Sequence, residues 1–379
     1  MRLFLNLLLA SFILLTCAPS ISAQAPLQPK ASTTKTEKPK AKSTKGKSSQ
    51  KSKKGKQSDQ KETEAPQKQD KKNESKYTPE ECYEVGYKII SSILPSEGDL
   101  KQAVNLFKQG AERGNSDCMY ALGQCYIDGR GIDRNIASGI SYLDKSADAG
   151  NDKAQVSLAY VYYTGEFVTS DYDKALTLLR QATAKENSDA QVLLGMMYLE
   201  GKGVPKNDAV ATEWFRIAAE SGNTGAQYLL GNCYYYGNGI EKDYPEAVRW
   251  YRKASEMGNH DATKALGDCY YNGNGVTKKR EQSVSLYETA ANFGNSDAQY
   301  ALGKCYYDGQ GVDKDYVKAM DWWYRAAAHE NSEAQFMLGQ CFEKGQGVAK
   351  SIPTAKSWYK KAADNGNDNA SKRYSKLTK

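Results

Sequence analysis

A glycine recurs every 36 residues along the second half of the chain, each time inside the same short phrase. It stands at Gly195, Gly231, Gly267, Gly303 and Gly339. A fixed period of this length is typical of stacked helix pairs and not of an enzyme domain built around a single pocket. The period therefore predicts a protein that works by presenting a long surface. It does not predict what that surface binds.

One unit, residues 295–330, shows what is repeated. Ala298, Leu302 and Tyr306 lie at helical spacing, which predicts a first helix. Gly309 and Gly311 then end that helix and turn the chain, because glycine supplies the positive φ that such a turn needs. A second helix follows with an apolar stripe, which consists of Ala319, Trp322, Trp323, Ala326 and Ala327.

Residues that cap helix N-termini recur with the same period. An Asn precedes every first helix, and either this Asn or the residue after it is the predicted N-cap. The column before the second helices reads Asp99, Asn135, Asp171, Asn207, Asp243, Lys279, Asp315 and Ser351. Lys279 cannot accept a hydrogen bond, so Thr277 is the alternative cap there. Asp243 with Glu246 has the spacing of a capping box.

The stretch from Ala298 to Ala327 closely follows the pattern A-x-x-x-L-G-x-x-Y-x-x-G-x-G-V, then A-x-x-W-Y-x-x-A-A. It resembles the Sel-one-like repeats, which are short relatives of the tetratricopeptide repeats. The resemblance covers about residues 95–379. The unit 151–186 departs from the pattern, since Ala159 replaces the helix glycine and Phe167 replaces the second turn glycine.

This resemblance implies an all-α fold. We expect a right-handed α-solenoid of antiparallel helix pairs over residues 78–379, with seven to eight repeats. Residues 78–94 fit the first-helix column poorly and are interpreted as an N-terminal cap. Residues 367–379 are interpreted as a C-terminal capping helix.

The first 23 residues have the features of an export signal. Arg2 supplies a positive start, a short apolar run extends from Leu3 to Leu15, and cleavage is expected after Ala23. The run is too short to span a bilayer comfortably, which disfavours a retained anchor. Cys17, after Leu-Leu-Thr, also resembles the acylated residue of a bacterial lipoprotein. We expect the periplasm or the cell surface of a bacterium, with lipidation of Cys17 left open.

Residues 24–77 contain sixteen lysines, no arginine and six acidic residues, a net charge of +10. Leu27 is the only large aliphatic residue, so no core can form and we expect a disordered lysine-rich linker. Because the whole chain carries +7, residues 78–379 carry about −4. The basic character therefore belongs to the linker and does not indicate a specific nucleic-acid partner. The linker is either a solvated spacer or a contact to an anionic surface or cell-wall polymer.

Neither the cysteines nor the histidines form a recognisable site. Five of the eight cysteines share one helix column at multiples of 36 residues: Cys125, Cys233, Cys269, Cys305 and Cys341. Equivalent residues of stacked helices lie about 8–10 Å apart, beyond the roughly 7 Å limit between the Cα atoms of a disulfide. We expect buried free thiols. His260 and His329 fall in connections, and nucleophile, zinc and phosphate motifs are missing. We expect no catalytic residue, cofactor or metal, and therefore no enzyme.

A partner would contact the first helices, which line the concave side of such a solenoid. Positions equivalent to 300, 304 and 307 form one stripe rich in Tyr, interleaved with amide and charged residues. Tyr offers a large contact area with a polar tip. The predicted binding residues are Tyr160, Tyr163, Tyr228, Asn232, Tyr235, Asp268, Tyr271, Tyr300, Lys304, Tyr307 and Gln340. The alternative is that many of these tyrosines pack against the neighbouring repeat.

The resemblance and the stripe together favour an exported scaffold or adaptor that binds a protein or peptide at the cell envelope. The alternative is a cell-wall or glycan-binding module, with or without weak hydrolytic activity.

Overall fold

A computed structural model describes residues 76–378, and within this range every regular element is an α-helix. The predicted signal peptide (1–23) and almost all of the predicted linker (24–77) lie outside the described residues. The helices, numbered in chain order, are α1 Pro79–Ile90, α2 Glu97–Glu112, α3 Ser116–Asp128, α4 Ile136–Asp148, α5 Asp152–Thr164, α6 Tyr172–Thr183, α7 Ser188–Glu200, α8 Asp208–Glu220, α9 Thr224–Tyr236, α10 Tyr244–Glu256, α11 His260–Asn272, α12 Arg280–Asn292, α13 Ser296–Asp308, α14 Tyr316–Ala328, α15 Ser332–Lys344, α16 Ile352–Asp364 and α17 Asp368–Thr378.

Each odd-numbered helix packs against the even-numbered helix that follows it, and each pair packs against the next pair. The odd-numbered helices are the predicted first helices of the units, and the even-numbered ones are the second helices. An α-solenoid is confirmed. The helix α1 pairs with α2, and α17 packs on α16 at the other end.

The predicted caps of the first helices are confirmed as Asn side chains. In α13, for example, Oδ1 of Asn295 accepts a hydrogen bond from the amide of Ala298 at 2.7 Å. The same arrangement begins the seven other helices of this column within the described range: α3, α5, α7, α9, α11, α15 and α17. Six second-helix caps are also as predicted, at Asn135, Asp171, Asn207, Asp243, Asp315 and Ser351.

Three details of the cap predictions are wrong. Ser96 caps α2, and Asp99 lies three residues further on as its partner in a capping box. Lys279 itself is the N-cap of α12, without a side-chain bond, so Thr277 is not the cap. Thirdly, the capping box predicted for α10 is not formed. The carboxylate of Glu246 accepts hydrogen bonds from Arg249 and Trp250 instead of from the N-cap amide.

The cap asparagines have a second contact that the sequence pattern did not reveal. While Oδ1 caps its own helix, Nδ2 donates to an acid in the first turn of the preceding odd-numbered helix. Asn295 reaches Asp261 at 2.7 Å, and Asn331 reaches Asp297 at 3.0 Å. The same side chain therefore begins one hairpin and ties it to the one before. The series is interrupted at Gly225, where the acid is missing.

A column of buried Gln makes a further link between hairpins. Nε2 of Gln299 donates to the carbonyl of Ala291 at 3.0 Å, near the end of α12. Equivalent bonds join Gln227 to Ala219 and Gln335 to Ala327. Each of these carbonyls also accepts a hydrogen bond from the amide three residues further on, so the Gln bond ties the end of the even-numbered helix to the next hairpin.

All seven cysteines between residues 76 and 378 are buried and free, as the column spacing predicts. Burial raises the pKa of Cys125 and of Cys269 to about 12. These thiols therefore remain protonated at neutral pH and behave as small apolar residues of the core. Cys17 lies outside the described residues.

Candidate partner-binding surface

The predicted stripe lies along the odd-numbered helices, and its residues differ widely in accessibility. Lys304 is exposed, and Tyr163 is buried. The other predicted residues are partly exposed, namely Tyr160, Tyr228, Asn232, Tyr235, Asp268, Tyr271, Tyr300, Tyr307 and Gln340. We call the accessible side of α9, α11, α13 and α15 the odd-helix face.

Tyr163 is a core residue, so the expectation that it offers its ring to a partner is wrong. Its side chain is 1% exposed, and its hydroxyl donates to Oε2 of Glu200 at 2.7 Å. The ring meets that of Tyr172 edge-on at 6.3 Å. Burial and the bond to a carboxylate both raise the pKa of Tyr163 far above its ordinary value. The ring fills space between two hairpins.

Tyr235 and Tyr307 have a structural contact in addition to their exposed edge. The hydroxyl of Tyr235 accepts a hydrogen bond from Asn274, and that of Tyr307 donates to Gln346, each at 2.7 Å. Both bonds reach the turn of the following hairpin. These two tyrosines therefore contact the neighbouring repeat, which is the alternative that the sequence analysis left open. The sequence signal for these bonds is an amide side chain at the same position of both turns, Asn274 and Gln346.

Two polar members of the stripe hold a tyrosine of the following even-numbered helix. Oδ1 of Asn232 accepts from the hydroxyl of Tyr251 at 2.7 Å. Oδ1 of Asp268 accepts from the hydroxyl of Tyr287, also at 2.7 Å. Each bond fixes an aromatic ring that packs beneath a glycine of the odd-numbered helix. Gln340 is less constrained and accepts from Lys344 at 3.3 Å.

Four of the predicted residues meet in a single cleft of about 390 Å³ between α11, α13 and α15. They are Asp268, Tyr271, Tyr300 and Lys304. Lys264 and Glu333 complete its charged wall. We call this the polar cleft. It combines aromatic rings with both signs of charge, an arrangement that suits a polar polypeptide segment.

The environment of Lys264 in the polar cleft favours its charged form. Burial by itself would lower the pKa of Lys264, but the carboxylate of Asp268, which lies 2.8 Å from its amine, and that of Asp297 raise it. The amine therefore stays protonated and remains paired.

A neighbouring cleft of about 510 Å³ lies at the N-terminal ends of α9, α11 and α13. Tyr228 lines it together with two exposed apolar residues, Met257 and Phe293. His260 stacks on Phe293 with a centroid distance of 4.2 Å. Burial lowers the pKa of His260, so the imidazole is neutral at pH 7 and acts as an aromatic surface.

In the part of the chain that the structure describes, no group of three or more His, Cys, Asp or Glu side chains could hold a metal ion. Across residues 76–378, no helix has the length and apolar character needed to cross a membrane.

Comparison with known families identifies the repeat. A model of the Sel1 repeat matches eight consecutive units, at residues 82–115, 116–151, 152–187, 188–223, 224–259, 260–295, 296–331 and 332–367. The chain belongs to the Sel1 repeat family. The first Sel1 unit begins at residue 82, inside the segment that the sequence analysis interpreted as an N-terminal cap.

Two solved structures resemble this Sel1 protein over most of the helical region. The first is c5321, a protective antigen present in uropathogenic Escherichia coli strains that displays an SLR fold. It shares 33% identity over 78% of this chain and 63% of its own, with a TM-score of 0.59. The second, a Sel1 repeat protein from Oxalobacter formigenes, shares 28% identity over 79% of this chain and 86% of its own, with a TM-score of 0.57. This chain thus spans less than two thirds of the E. coli protein. A search of curated proteins gave no match.

Sel1 repeats generally mediate protein–protein interactions. This property gives the odd-helix face its interpretation as a candidate interface. The accessible polar and aromatic side chains of the face lie on helices whose other sides are fixed in the repeat core.

Proposed function

We propose that this protein is a scaffold that binds a segment of a partner protein on its odd-helix face. The polar cleft carries the proposal. Its aromatic rings offer contact area at a small entropic cost, and its charges lie on rigid helices. A preorganised surface of this kind loses little freedom when a partner binds.

The polar cleft also suggests how the partner is recognised. Lys264 is already paired with Asp268, whereas Lys304 is exposed at the rim. Glu333 stands on the opposite wall. We infer that a partner segment presents an acidic group to Lys304 and hydrogen-bonding groups to Tyr271 and Tyr300. Charges at a rim set the specificity and the association rate more than they set the total affinity.

Reversing one exposed charge tests the proposal with little effect on the fold. Lys304→Glu is expected to weaken capture of the partner from envelope extract roughly five- to tenfold, since a favourable contact becomes a repulsive one. The matched control is Lys360→Glu, because Lys360 is exposed on the even-numbered helix α16 and the change in net charge is the same. Immobilised chains of both variants are compared by quantitative mass spectrometry of the bound proteins.

The two variants give a clear decision. Loss of the same proteins in both variants, or in neither, contradicts binding in the polar cleft. Retention of purified cell-wall sacculi by both variants, without any protein that depends on Lys304, favours the glycan-binding alternative instead.

We further propose that the scaffold is exported and acts at the cell envelope. The support is the sequence of residues 1–23 and the lysine-rich segment that follows, which has the composition of a spacer. The intact mass of the chain from cells is expected to correspond to a first residue at Gln24, or to a diacylated or triacylated Cys17. A mass that includes Met1 and the complete apolar run contradicts both forms of export.

A further inference from the structure

The unit 152–187 departs from the repeat at one turn, and a cleft lies beside that turn. In six other units the second turn glycine has a positive φ, for example 68° at Gly239 and 71° at Gly275. That glycine lies against the first residues of the preceding even-numbered helix. A Cβ on Gly239 would overlap the carbonyl oxygen of Asp208. A larger side chain does not fit at this position while the turn keeps this backbone conformation. In the unit 152–187 the equivalent residue is Phe167.

The backbone of this turn has changed accordingly. Phe167 is not among the described residues with positive φ. In the next unit the amide of Lys202 bonds back to the carbonyl of Met197 at 3.0 Å, closing the helix end. The equivalent amide, that of Glu166, bonds instead to Oγ1 of Thr164 at 3.4 Å. The turn therefore lacks the backbone hydrogen bond that closes the helix end in the next unit. The ring of Phe167 forms one wall of an adjacent cleft.

The wall belongs to a cleft of about 540 Å³ between α3, α5 and α7. We call it the apolar cleft. Leu143, Val156 and Leu193 form its buried floor, and Ile127, Tyr160 and Phe167 form partly exposed sides. Clefts of this size and lining hold small ligands or anchoring side chains.

The same helix positions produce a different chemistry further along. Val156 and Leu193 correspond, three units later, to Lys264 and Ala301 of the polar cleft. The apolar cleft is therefore a local feature of three units, and it lies beside the turn that has Phe167 in place of the second turn glycine.

The rim of the apolar cleft favours a cation over an anion. The guanidinium of Arg130 donates to the carbonyl of Ile90 at 3.1 Å, and that of Arg134 donates to the carbonyl of Ile127 at 2.9 Å. Both guanidiniums keep their positive charge, but three carboxylates line the same cleft, those of Asp128, Glu166 and Asp189, so its lining has a net negative charge. Burial raises the pKa of Asp189, despite the hydrogen bond that its carboxylate accepts from Asn223. A positive group at this rim would stabilise the carboxylates of Asp128 and Asp189.

We propose that the apolar cleft anchors a partner peptide through two adjacent apolar side chains, at least one of them aromatic, flanked by Lys or Arg. The inference rests on the proposed scaffold function and adds a second contact of defined chemistry, at a distance from the polar cleft. The apolar pair covers the floor, and the flanking cation faces Asp128 and Asp189. Since hot spots of protein interfaces are apolar anchors in preformed pockets, this contact supplies much of the affinity.

The test uses the full chain and a defined probe, the fluorescein-labelled peptide Gly-Lys-Phe-Leu-Lys-Gly, followed by fluorescence anisotropy. Phe167→Gly restores the residue found in the other units and is expected to weaken binding at least tenfold, because the turn closes and the wall is lost. Phe167→Leu keeps an apolar wall and is expected to bind within about threefold of the parent chain. Ser157→Phe fills the cleft from α5 and is expected to act like Phe167→Gly.

Two further probes separate the possible results. The peptide Gly-Glu-Phe-Leu-Glu-Gly is expected to bind at least tenfold more weakly than the lysine peptide, and equal binding overturns the role of the acidic rim. Equal binding of the lysine peptide to the parent, Phe167→Gly and Ser157→Phe chains overturns the site. Binding of dodecanoate without any binding of the peptide also overturns it, since the cleft would then hold a small amphiphile. None of these results depends on Lys304, so failure of the apolar cleft and failure of the polar cleft are distinguishable.

Discussion

Replacing Trp323 with alanine is expected to lower the free energy of unfolding by about 3–5 kcal/mol. The indole is completely buried, and its Nε1–H donates to the carbonyl of Tyr300 at 3.1 Å. The ring lies beneath Gly303 and 5.4 Å from the ring of Tyr307. Removal leaves a cavity between the two helices of this hairpin and takes away the indole bond to α13. Urea denaturation followed by circular dichroism measures the loss.

The adjacent tryptophan is the matched control. Trp322 is partly exposed, and the guanidinium of Arg325 lies 4.5 Å from its ring centroid. Trp322→Ala is expected to lower the free energy of unfolding by only about 1–2 kcal/mol. Because each repeat contacts only its neighbours, hydrogen exchange in Trp323→Ala should accelerate first in α13 and α14. Equal losses for the two variants would mean that α14 presents a different face to the core.

The second large effect is expected at a turn glycine. Gly239→Ala should lower the free energy of unfolding by about 2–5 kcal/mol, from two sources. An alanine at a φ of 68° is strained by roughly 1–2 kcal/mol, and its Cβ meets the backbone of Asp208, which cannot move without displacing α8.

Gly258→Ala separates these two sources. Gly258 also has a positive φ, of 86°, but a Cβ there would meet nothing within 4 Å. It should therefore show the conformational strain alone, about 1–2 kcal/mol. Both variants are compared by urea denaturation at the same temperature. If Gly239→Ala is no more destabilising than Gly258→Ala, the turns do not pack against the preceding hairpin as described.

The sequence was sufficient for the parts of the fold that depend on local chemistry. Asn295, Gly309 and Asp315 each act within one turn of their own position, so their residue types and spacing predict the helix ends directly. An error in the predicted caps arose where two neighbouring residues could both accept the capping hydrogen bond. Ser96 and Asp99 can both cap a helix, and only the path of the chain decides which one does.

Contacts between units could not be predicted from the repeat pattern. The bonds of Tyr235 to Asn274 and of Asn295 to Asp261 join residues that are 39 and 34 positions apart. Their geometry depends on how far one hairpin is displaced from the next. Tyr163 occupies the same column as Tyr235 but is buried, because its neighbours leave no opening at that point. Phe167 was visible as a departure, but the cleft beside it follows from the packing of three helices.

The central claim is that the odd-helix face of this Sel1 repeat protein binds a partner protein. Photo-crosslinking in cells tests it most directly, with p-benzoylphenylalanine placed at position 304 in one chain and at position 360 in another. A crosslinked protein species is expected from position 304, on the rim of the polar cleft, and not from position 360, on the even-numbered helix α16. The same species in equal yield from both positions, or from position 360 alone, would contradict the account.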